Sequence, residues 1–192
     1  MKRVDSSSKF EVPVRPQIPF RAVNRKGAPG HDPGLQRHHL LPRQSLNRPC
    51  FAQLFEAVGC ERIGFNDFRR NGLLLPAAES ASVRLGLPLH RGPHRSYNEL
   101  VMERIGQIER DWSSQRFRVP EVALGQASMR LALLQGALRR SLLDGRRRFQ
   151  LNSKCPLGTG YDFRDLDAMA EKLWLGTQEG DSPALVASSS FA

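Results

Sequence analysis

The chain has no apolar run long enough to cross a bilayer, and no apolar segment stands behind its basic opening, M-K-R-V-D-S-S-S-K-F. No membrane partner is therefore expected. The expected location is the cytoplasm, with export by a bacterial route that leaves no leader as the alternative. Cysteine is scarce: three residues, Cys50, Cys60 and Cys155, with no C-x-x-C spacing. That count excludes a disulfide framework and the usual thiolate zinc sites, and predicts free thiols in a reducing compartment. Cys50 and Cys60 flank the apolar run F-A-Q-L-F-E-A-V-G and are expected as core or capping residues. Acidic residues are few, 19 against 29 basic ones, which leaves a formal charge of +10. The excess is mostly arginine, whose planar guanidinium suits phosphate oxygens, so a polyanionic partner is expected and nucleic acid comes first. An acidic protein would satisfy the same charge.

Histidine is missing from the C-terminal half altogether. All five, His31, His38, His39, His90 and His94, fall in the first half, and two of them are adjacent in L-Q-R-H-H-L-L-P. Because imidazole is both the commonest metal ligand and the side chain that titrates near neutrality, such crowding points to a site.

Residues 1 to about 29 are rich in Ser, Pro, Lys and Arg, and V-P-V-R-P-Q-I-P-F favours extended geometry over helix, so this segment reads as an arm. A short strand carrying the histidine pair follows, then a helix from about Pro49 to Val58 that Gly59 ends. Asn71-Gly72 reads as a turn that leads into a second strand at L-L-L. Tyr97, Val101, Ile105, Ile108 and Trp112 recur at helical intervals, with Gly92-Pro93 at the start of that helix. Leu124, Leu131, Leu134, Leu138 and Leu142 mark another helix over residues 120 to 143, and Phe163, Leu166, Met169, Leu173 and Trp174 a last one from 162 to 175. The expected class is α+β, with a small two-strand, one-helix core over 30–112, a helical extension over 113–180 and a flexible tail over 181–192.

Adjacent residues of a strand point to opposite faces, so His38 and His39 are not expected to bind one ion together; a ligand beside a base is the better division. His90 and His94 are four apart, a spacing that brings two imidazoles to one ion on a helical face, although Pro93 places His90 in the preceding loop and leaves His94 inside the helix. Three imidazoles favour zinc or another transition metal. Asn71 in place of one of them would favour magnesium or manganese, which prefer oxygen. Asp67 could orient a ligand histidine, but an Asx turn suits it better, and His31 with Asp32 reads as a surface turn.

In order, R-H-H-L-L-P, F-N-D-F-R-R-N-G-L-L-L-P and L-H-R-G-P-H-R-S-Y-N resemble the HNH, or endonuclease VII-like, superfamily of ββα-metal nucleases, and more narrowly the AHH family of predicted bacterial toxin nucleases. Arg37 stands where the family name has alanine. The resemblance implies a divalent ion held by His38, His90 and His94, with His39 as general base and Asn71 either binding the ion or holding the base-bearing loop. Arg37 and Arg95 beside the site, with Arg146, Arg147 and Arg148 further on, are the expected phosphate contacts. The reading is a metal-dependent endonuclease acting on nucleic acid, DNA before RNA, with little sequence preference. For a delivered toxin, an acidic immunity or inhibitor protein is the expected partner. The alternative is a non-catalytic module in which the same metal staples a nucleic-acid-binding or interaction fold.

Overall fold

A computed structural model of the chain describes residues 15–145, 151 and 154–157. The helix expected over 162 to 175, the tail, and Arg146, Arg147 and Arg148 lie outside the described residues. Two short strands, β1 (Leu35–His39) and β2 (Gly72–Pro76), pair antiparallel, with His38 opposite Leu73 and His39 opposite Gly72. Six helices accompany them among the described residues: α1 (Pro49–Val58), α2 (Cys60–Ile63), α3 (Phe68–Asn71), α4 (Glu79–Leu85), α5 (Arg95–Gln115) and α6 (Pro120–Leu143). This is an α+β arrangement, mostly helical, as the sequence implied. No helix of the described residues is long and apolar enough to cross a membrane.

The apolar periodicities are the core. Phe51, Leu54, Phe55 and Val58 of α1 are buried, as is the whole α5 stripe of Tyr97, Val101, Ile105, Ile108 and Trp112. On α6, Leu131, Leu134, Leu138 and Leu142 join them, while Leu124 packs at the edge, partly exposed. One cluster thus takes in Leu40 and Leu41 just after β1, Leu73 and Leu75 of β2, and the inner faces of α1, α5 and α6.

Three local expectations are corrected. Asn71-Gly72 does not form a turn between strands: Asn71 ends the single-turn α3 and Gly72 opens β2. Gly72 has an ordinary extended backbone and is needed for space instead, because a Cβ there would collide with the Phe68 ring. The small-residue segment after β2 forms α4, which buries Ala81 and Ser82. The helix expected at Gly92-Pro93 begins at Arg95, with His94 as its N-cap, so His94 is not inside it. Cys50 and Cys60 are exposed rather than in the core, and Cys155 is buried; all three are free thiols.

Candidate metal centre

His38 lies on the inner face of β1 at 1% exposure. Its ring meets His90 at 4.8 Å, His94 at 5.1 Å and Tyr97 at 4.9 Å, each edge-on. His90 and His94 do not reach it from a shared helical face. The His90 amide donates to the Pro76 carbonyl at 2.7 Å, which ties it to the end of β2, and the chain then bends at Gly92, φ 78°, before His94 caps α5. Their Nε2 atoms stand 3.0 Å apart. Ligand nitrogens of His38, His90 and His94 all lie within 4.8 Å of one another, and among the described residues no carboxylate or thiol joins them.

The polar atoms of this cluster are otherwise unsatisfied. Both ring nitrogens of His38, and Nδ1 of His90 and of His94, are buried without a hydrogen-bond partner. Leaving such an atom unpaired costs about 1–3 kcal/mol, so three converging imidazoles with free nitrogens fit a bound cation better than they fit plain packing. Burial, and then the charges of the neighbouring histidines, hold His38 well below the usual imidazole range and His90 at about 4. Burial also lowers His94. The rings are therefore neutral at physiological pH, the state a metal ligand needs.

His39 points the other way. Half-buried on the outer face of β1, its ring lies flat against Phe20, with centroids 3.7 Å apart and planes 4° from parallel. Burial first, then the charges of Arg43 and Arg37, lower it to about 4. It follows His38 directly in β1 but is not a member of the cluster.

Asn71 is fully buried and outside the cluster. Its Oδ1 accepts from the Leu41 amide at 2.7 Å and from Gln135 at 3.3 Å, while Nδ2 donates to the Leu41 carbonyl at 3.1 Å and the Phe65 carbonyl at 3.3 Å. Both ends of its amide are thus spent on holding the chain that leaves the histidine pair. Tyr97 works on the same stretch, its buried hydroxyl donating to the Leu40 carbonyl at 2.7 Å. The stripe periodicity identified Tyr97 as core; its hydroxyl needs a partner once buried, and that was the signal for this second role.

Arg37 is exposed and donates to the Phe20 carbonyl at 2.8 Å, and Arg95 is exposed at the first turn of α5, beside His94. Arg43, exposed in the 3-10 turn Arg43–Asn47, adds a charge near His39 that spacing did not reveal. Asp67 is an N-cap and not a partner of any ligand histidine: its Oδ1 accepts from the Arg69 amide at 3.0 Å and the Ile18 amide at 3.1 Å. Asp32 accepts from the Gly34 amide within its own turn and from Arg84 on α4, not from a ligand histidine, and His31 does not join the cluster. Gln135, which bridges Asn71 and the Ile63 carbonyl, and Arg139, which caps α3 at the Arg69 carbonyl at 2.7 Å, had no local signal because each acts across about seventy residues of chain.

The three histidines, brought together from β1, the loop after α4 and the cap of α5, could hold a metal ion. A family model described as a nuclease family of the HNH/ENDO VII superfamily with conserved AHH matches residues 19–129, more than half of the chain. The chain belongs to this AHH nuclease family. No curated protein and no solved structure matches it in the comparisons made.

Proposed function

We propose that the protein is a metal-dependent endonuclease that hydrolyses phosphodiester bonds of nucleic acid, DNA before RNA and with little sequence preference. The observation that carries the reading is the split of the adjacent histidines: His38 faces two further imidazoles with free nitrogens, while His39 faces outward, uncommitted to that cluster. His38, His90 and His94 would hold one divalent ion, and an all-imidazole set suits zinc or another transition metal better than magnesium or manganese. Such an ion supplies charge neutralisation at the scissile phosphate and stabilisation of the leaving oxygen.

The remaining work falls to this chain's own groups. His39, neutral at physiological pH, accepts the proton of the attacking water, a contribution of typically ~10²–10⁴-fold. Arg37, Arg43 and Arg95 lie beside the histidines and draw the phosphate backbone toward them, contacts that position the strand without reading its sequence. Asn71 and Tyr97 keep Leu40 and Leu41 fixed, and so hold the two histidines to their separate faces. For a toxin, an acidic immunity protein is the partner that a formal charge of +10 suits best.

The test is cleavage of supercoiled plasmid and of single-stranded RNA in zinc, nickel, manganese and magnesium, with a chelator control. Metal-dependent nicking of the plasmid is expected. Intact substrates in every metal would leave the cluster as a structural staple.

A further inference from the structure

We propose that Phe20 is a positioning residue for His39: the segment around it straps across the outer face of the sheet and fixes the plane of the His39 imidazole. This rests on the reading of His39 as the base. The strap is anchored on both sides of the ring. The Ile18 amide donates to Asp67 Oδ1 at 3.1 Å and its carbonyl accepts from the Phe68 amide at 2.7 Å, while Arg37 donates to the Phe20 carbonyl at 2.8 Å. Pro19 bridges to Asp67 and adopts an extended backbone, φ −63° and ψ 141°, that delivers Phe20 to the strand.

The ring itself has a backing. Gly72, the cross-strand partner of His39, has no side chain and so leaves room for the Phe68 ring, which meets Phe20 edge-on at 5.2 Å. Phe20 then covers His39 at 3.7 Å with the planes 4° apart. The chain of support runs from Gly72 through Phe68 and Phe20 to His39.

The chemistry of a phenyl ring suits this task. The terminal torsion of a histidine is broad, and a flat neighbour narrows it. A carboxylate or carbonyl would do so by occupying a ring nitrogen; a phenyl ring orients the imidazole through its face and leaves both nitrogens free. Misplacing a catalytic group by ~1 Å can cost ~10²-fold in rate. Arg37, which stands where the family description has alanine, supplies one of the anchors, so this chain holds the strap by a contact that alanine does not provide.

The experiment compares wild type, Phe20→Leu, Phe20→Tyr and His39→Ala. Single-turnover plasmid cleavage, metal content and melting temperature are measured for each, and the ring-proton shifts of His39 by NMR with zinc present. Phe20→Leu should slow cleavage ~10-fold or more at unchanged metal content, and Phe20→Tyr should restore it to within about two-fold, because a ring and not mere bulk is required. In wild type and Phe20→Tyr the His39 ring protons should be shifted upfield by the stacked ring, and in Phe20→Leu that shift should vanish. Wild-type or faster cleavage by Phe20→Leu, with His39→Ala slow, would overturn the role of Phe20 and leave the base in place. Wild-type cleavage by His39→Ala would overturn the base reading itself. No upfield shift in wild type would overturn the stack whatever the substrate proves to be.

Discussion

The two faces of β1 treat the same side chain in opposite ways. On the inner face His38 is at 1% exposure among His90, His94 and Tyr97, with both ring nitrogens free of protein partners. On the outer face, one residue on, His39 is half-buried and backed by a single phenyl ring, with Arg37 and Arg43 nearby. Burial lowers both imidazoles, but the surroundings differ in kind: three converging nitrogen donors inside, one oriented ring beside cationic groups outside. A strand's two-residue period is enough to make neighbours in sequence into neighbours with separate work.

Substitutions that act on one face alone should sharpen this contrast, and the largest effect belongs to the inner face. His38→Ala should lose bound metal and cleavage together, and should melt earlier than the metal-loaded wild type because an ion bound to the native state favours folding. His90→Ala, on a half-buried ring, should do the same, with metal content by elemental analysis as the check. His39→Ala should retain the metal and the melting temperature while cleavage falls ~10²-fold or more, measured at saturating enzyme.

Next in size is the tie between the faces. Asn71→Ala removes the side chain that pairs with the Leu41 amide and carbonyl and with Gln135, leaving buried backbone groups unsatisfied. Denaturant unfolding should report a loss of roughly 2–3 kcal/mol. The smallest effect is expected at the exposed cations. Arg95→Ala should weaken nucleic-acid binding modestly at low salt, and the slope of log affinity against log salt should flatten by about 0.9 if one phosphate contact to duplex DNA is lost. Metal content should not change.

Elements set by local pattern were legible in the sequence. Pro49 and Gly59 bracket α1, and the α5 stripe from Tyr97 to Trp112 is buried throughout. The three imidazoles that converge were named through the family resemblance of their motifs, although their route to one point was not: His90 arrives through a bond to Pro76 and a left-handed Gly92, not through a shared helical turn. What could not be read is what depends on distant packing. Prolines announced that the residues leading to Phe20 are extended, but not that Phe20, at the start of the 3-10 turn Phe20–Ala22, lies on His39; Asn71-Gly72 looked like a turn because the reason for its glycine is the Phe68 ring above it. Gln135 and Arg139 are ordinary helix residues until α6 docks against α3.

The division between the two faces is tested most directly by calorimetric titration of zinc into metal-free wild type, His38→Ala and His39→Ala. The account predicts one site in wild type, the same site with near-equal affinity in His39→Ala, and no comparable binding in His38→Ala. Loss of the site in His39→Ala, or its survival in His38→Ala, would contradict it.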